Sequence, residues 1–140
     1  MSEPSARDLQ ALAEMRLKDA VVLLDNKRWS AAYYLAGYSV ECGIKAVIAL
    51  SFRAQVIPDK NFVNKIYSHQ LLDLMNLAGL KAKLQEQMQA SDPFNANWAV
   101  VSGWSEQVRY ETIDPFTSIT MVEAVSDQQA GVLPWLKTYW

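Results

Sequence analysis

The segment WSAAYYLAGYSVECGIKAVIAL, Trp29 to Leu50, constrains the fold more than any other part of the chain. Wound at helical pitch it is apolar nearly all round, and a helix of that kind is covered by neighbours on most sides. The most apolar stretch, from about Ala31 to Leu50, is interrupted by Glu41 and Lys45. It therefore reads as a buried helix and not as a bilayer span. The helix is expected to begin near Trp29 or Ser30 and to continue to about Phe52. Ala32, Ala36, Gly37, Ser39 and Gly43 would let neighbouring backbones approach it closely. Gly37 and Gly43 each cost about 1 kcal/mol relative to alanine inside a helix, so their presence points to a packing reason.

The remaining segments supply the cover. Between Ser5 and Asp25, Leu9, Leu12, Ala13, Leu17, Ala20, Val21 and Leu24 recur at three- and four-residue steps, one face of an amphipathic helix. Ser5 is its expected N-cap, with Asp8 in the capping-box position. Asp25–Asn26–Lys27 makes a break. Residues 53–67 lack periodicity and read as a loop. Ser68 is expected to cap a short helix that Gly79 ends, followed by a second short run from Leu80 to Ala90. Asp92–Pro93 and Asp114–Pro115 both read as helix starts. The first of these helices is expected to carry Phe94, Trp98, Val101, Trp104 and Val108 and to end at Arg109. Thr120 with Glu123 forms a further capping-box pattern. The last helix is expected to reach the C-terminus with a kink at Gly131 and Pro134. No segment alternates as a strand would. The expected fold is all-α: one up-and-down bundle of five or six helices over residues 1–140.

Composition narrows the function. The net charge is −2, without the basic excess usual in proteins that hold long nucleic acid through phosphates. Cys42 and His69 are the only residues of their types, so a disulfide framework within one chain is ruled out and a dedicated metal site is not expected. Glycine-rich phosphate loops and the HExxH, CxxC and G-x-S-x-G motifs are missing. No cofactor is expected. The polar start MSEPSARDLQ lacks an apolar signal region, and a cytoplasmic location is expected.

Two polar stripes remain. Tyr34, Tyr38, Glu41 and Lys45 fall on one face of the central helix, with Glu41 four residues before Lys45 in the favourable order for an ion pair. They read either as the wall of a binding groove or as an ordinary salt-bridged surface. Ser102, Ser105, Glu106 and Arg109 form a second stripe at helical spacing. There Arg109 could bind a phosphate bidentately or meet the carbonyls at a helix end. His69 is the one side chain whose ordinary pKa lies near neutrality, but beside a capping serine a lone histidine is more often structural. Cys42, inside the apolar helix, reads as a small hydrophobe. Trp135, Tyr139 and Trp140 crowd the last turns, either packed on the bundle or offered to a partner.

The Trp29–Leu50 segment, with its tyrosines, Glu41 and Lys45, resembles the second helix of HEPN domains. Ser68-His-Gln-Leu-Leu-Asp-Leu74 is similar to the opening of the next helix, and Trp104 through Arg109-Tyr110 to the tryptophan-to-arginine–tyrosine segment after it. The resemblance implies a helical bundle that is often a homodimer. It implies three kinds of function: metal-independent ribonuclease toxins, partners of nucleotidyltransferases, and non-catalytic RNA- or nucleotide-binding modules.

The family's ribonucleases use an arginine followed by four to six residues and then a histidine. With Arg109 as that arginine, the positions hold Asp114, Pro115 and Phe116. An ordinary aspartate is ionised at neutral pH and would repel phosphate, whereas metal-free RNA cleavage needs a group that exchanges protons there. The expectation is a non-catalytic binding or partner module in a toxin–antitoxin, nucleotidyltransferase-associated or phage-defence setting. Its groove would be lined by Glu41, Lys45 and Arg109, with Tyr34 and Tyr38 for stacking. Two alternatives stand beside it: a divergent ribonuclease in which Arg109 and His69 meet, and a structural subunit that docks through its aromatic C-terminus.

Overall fold

A computed structural model describes residues 3–140. The chain forms α1 (Ala6–Asp25), α2 (Trp29–Leu50), α3 (Lys60–Ile66), α4 (Leu71–Leu77), α5 (Lys81–Ala90) and α6 (Asp92–Ser102). A 3-10 turn (Glu106–Tyr110) leads to α7 (Pro115–Ser126) and α8 (Val132–Lys137). There is no strand among the described residues. The all-α class holds, but the expected five or six helices become eight among the described residues.

The local chemistry explains most of the boundaries. Ser5 and Asp8 form the reciprocal capping box that starts α1, satisfying two of the donors that a helix start leaves unpaired. Asn26 and Lys27, the latter at φ 60°, turn the chain into α2. Asp114 starts α7 by accepting from the Thr117 N–H at 3.0 Å.

Several boundaries differ from the expectation. Asp59 accepts from the Phe62 N–H and starts α3 inside the segment expected to be a loop. Phe62 and Ile66 then turn one face of that short helix toward the core. Ser68 does not cap α4. Its Oγ accepts from the Gln70 N–H in a local turn, and His69 lies just outside the helix. Ser91, one residue before Asp92, is the cap of α6. That helix stops at Ser102, because Gly103 ends it and Trp104 folds back onto α2. Thr120 and Glu123 lie within α7 and cap nothing. The final helix is broken and not kinked. Gly131 caps α8 and Pro134 falls in its first turn, where no N–H has an intrahelical partner to lose.

α2 is the axis of the bundle and packs against α1, α4, α7, α8 and the 3-10 turn. Val40, Ile44 and Ile48 are fully or almost fully buried, within one core that includes Phe94, Met121 and Leu136. The two glycines have the expected packing role. A Cβ on Gly37 would overlap the indole of Trp104, and one on Gly43 would stand 3.0 Å from Leu133. Polar side chains pin the helices where they cross. Ser39 donates to the Ala13 carbonyl at 2.6 Å, and Ser118 to the Trp29 carbonyl at 2.7 Å. Among the described residues no helix is long and apolar enough to cross a membrane.

Candidate functional site

The stripe on α2 carries a buried charge. Glu41 is only 2% exposed, and a carboxylate that deep must be paired and hydrogen-bonded to remain ionised. Oε2 lies 3.3 Å from the Lys45 ammonium, the ion pair expected from their spacing. Oε1 lies 2.8 Å from Nδ1 of His69, a contact that the sequence does not reveal.

His69 continues the chain of charges. Its Nε2 stands 3.2 Å from Oε2 of Glu106 on the 3-10 turn. The same oxygen is 3.9 Å from Nη1 of Arg109. Lys45, Glu41, His69, Glu106 and Arg109 thus form one line from the interior to the surface. Glu41 is sealed in, while the side chains of His69, Glu106 and Arg109 are 42%, 31% and 47% exposed. A neutral imidazole has one N–H, so it can donate to only one carboxylate. The contact with Glu41 has hydrogen-bond geometry, whereas the one with Glu106 is a charge contact that needs the doubly protonated ring.

Aromatic side chains flank this line. The rings of Tyr34 and Tyr38 lie nearly parallel, 6.3 Å apart, and Trp104 leans on Tyr34 at 5.9 Å. The Arg109 guanidinium sits 4.9 Å from the centre of the Tyr110 ring, and Tyr110 is largely exposed. Tyr110 foremost, with Glu106 and Tyr34, holds the Arg109 pKa above the ordinary value. Burial pushes the Tyr38 phenol up to about 12, so it serves as a hydrogen-bonding hydroxyl and not as a phenolate.

The residues expected to share one groove have two surroundings. Tyr38, Glu41 and Lys45 line a mostly apolar cavity of about 570 Å3 between α1, α2 and the segment around α3. Arg109 and Tyr34 lie at the other end of the stripe with Trp104 and Tyr110. No family model, no curated protein and no solved structure matches this chain.

Other candidates are accounted for structurally. Burial raises the Cys42 thiol to about 11, far from the thiolate needed of a nucleophile. Asp114 is occupied as a helix cap, and its hydrogen bonds with Thr117 hold its pKa below the usual carboxylate value. Trp135 packs on Phe94 and Tyr139, and Trp140 donates from Nε1 to the Gly43 carbonyl at 3.2 Å, so the aromatic C-terminus is folded onto its own chain. Among the described residues no group of three or more His, Cys, Asp and Glu side chains is placed to hold a metal ion. The residue that sequence reasoning undervalued is Glu106. Its spacing from Arg109 was readable, but its contact with His69 spans two separate segments.

Proposed function

We propose that this protein is a non-catalytic, HEPN-like binding module that holds an RNA strand or nucleotide at the Arg109 end of the stripe. The observation that carries this reading is the fixation of His69. Its Nδ1 is hydrogen-bonded to Glu41, and Glu106 stands 3.2 Å from Nε2, in the place a ribose hydroxyl would have to reach. Arg109 and Tyr110 are exposed beside it, a combination suited to a phosphate and an adjacent base. The resemblance described above extends the proposal to a homodimer that works with a nucleotidyltransferase, or within a toxin–antitoxin or phage-defence system.

Titration of a labelled single-stranded RNA, with the RNA examined afterwards, tests this. The expected result is saturable binding that Arg109→Ala weakens, with the RNA left intact. Absence of binding, or binding indifferent to Arg109, would overturn the reading.

One observation favours the divergent-ribonuclease alternative: His69 and Arg109 approach the same Glu106 oxygen. That reading requires RNA cleavage by the wild-type protein that disappears in both His69→Ala and Arg109→Ala while the fold is kept.

A further inference from the structure

We propose that Glu106 occupies an anion site belonging to His69 and Arg109, so that the protein binds a phosphate only by displacing its own carboxylate. The inference rests on the reading of the Arg109 end as a binding face and assigns the groups that contact and guard the phosphate.

The geometry supports it from both sides. Glu41 receives Nδ1 of His69 at 2.8 Å and is itself buried on α2. The imidazole is thereby held with Nε2 on the Glu106 side, 3.2 Å from its carboxylate oxygen. An inner carboxylate that fixes the orientation of a histidine is a standard way to present its outer nitrogen. Arg109 approaches the same oxygen from the other side at 3.9 Å. That distance is beyond a normal hydrogen bond, so the guanidinium is near the anion without being closed upon it. With His69 as the imidazolium, His69 and Arg109 form a cationic pair that converges loosely on one carboxylate oxygen, an arrangement that suits an oxyanion. A phosphate offers more acceptor oxygens than Glu106 and can take both donors at hydrogen-bonding distance.

Glu106 is suited to leaving. It lies on a short 3-10 turn, about a third exposed, and is held only by these contacts. Surface ion pairs of this kind contribute little. Lys45 and Arg109 are offset by Glu41 and Glu106 while the carboxylate is in place. Once it swings away, His69 and Arg109 face the ligand with one fewer carboxylate opposing them. Tyr110, against Arg109 and open to solvent, is where the base of a nucleotide would rest.

His69 is the only histidine in the chain, so its imidazole resonances report on the site without assignment work. Inorganic phosphate and a short single-stranded RNA are titrated into the wild type, Glu106→Gln and Glu106→Ala, and into Glu106→Ala combined with Arg109→Ala. Removing the carboxylate is expected to tighten phosphate binding about tenfold or more, the scale of a charge-assisted hydrogen bond, and to let phosphate shift the His69 resonances. The double variant is expected to lose that gain. Unchanged phosphate affinity in both Glu106 variants, or a gain that survives Arg109→Ala, would overturn the proposal. If RNA binding depends on Arg109 but ignores Glu106, the displaced-carboxylate proposal falls and the binding reading stands. If neither probe binds any variant, both fall.

Discussion

The imidazole of His69 is held at Nδ1 by Glu41, a carboxylate that α2 carries into the core, 28 residues earlier in the chain. The contact joins a buried helix to the loop before α4, so it serves both stability and the orientation of the site. Glu41→Ala would leave Lys45 and His69 without their shared partner. The expected loss is about 2 kcal/mol, the scale of a hydrogen bond to a charged group, because both partners keep some access to water. Glu106→Gln should cost well under about 1 kcal/mol. Urea denaturation of the two variants checks the contrast, and equal losses would refute it.

Gly37→Ala should destabilise the protein despite the better helix propensity of alanine. The added methyl meets the Trp104 indole, and overpacking of this kind costs about 1–3 kcal/mol against a propensity gain of about 1 kcal/mol. A lower Tm with an altered near-ultraviolet tryptophan signal is expected. A higher Tm would show that the indole does not lie there.

Cys42 should resist thiol reagents in the folded protein at pH 8 and react readily in urea. Burial raises its pKa to about 11 from an ordinary 9. The sign follows from linkage: stability from keeping the thiol neutral is fully present below about 9 and is lost as the pH rises through about 11. Cys42→Ala should therefore show a flatter decline in stability over that alkaline window, measured by denaturation at stepped pH.

Deleting Leu136–Trp140 should unfold the bundle. Leu136 is fully buried, and Trp140 is tied to the Gly43 carbonyl. Loss of the leucine alone is worth about 2–5 kcal/mol. Circular dichroism of the truncated chain checks this. Retention of a native Tm would instead revive a role for the aromatic tail in docking.

Salt dependence gives an independent measure of the RNA face. Each phosphate neutralised on a single strand contributes about 0.7 to the log–log slope through counterion release. Arg109→Ala should therefore flatten the slope by roughly that amount, while the thermal stability stays close to that of the wild type.

The parts of the fold legible in the sequence were those with local causes. Ser5 with Asp8 and Asp114 with Pro115 mark helix starts because a cap acts within one turn. The central position of α2 followed from its apolar circumference. Failures occurred where a distant contact decided the matter. A helix continuing past Ser102 was a fair reading of Trp98, Val101, Trp104 and Val108, but Trp104 gains more by lying on Gly37 than by extending α6. His69 gave no sign of its carboxylates, because Glu41 and Glu106 reach it from α2 and the 3-10 turn. Of the candidate site, the Glu41–Lys45 pair was readable from spacing alone. The union of the two polar stripes through His69 was not.

The flat seating of Trp104 on Gly37 sets the working clearance of this face. Glu106 follows only two residues later, so the turn that bears it is moored to the same helix that bears Glu41. The two carboxylates are thus carried on backbones that Trp104 packs together, with the His69 imidazole between them. An exchange of anions at this surface then needs only rotation of the Glu106 side chain, with the turn that bears it left packed on α2 through Trp104.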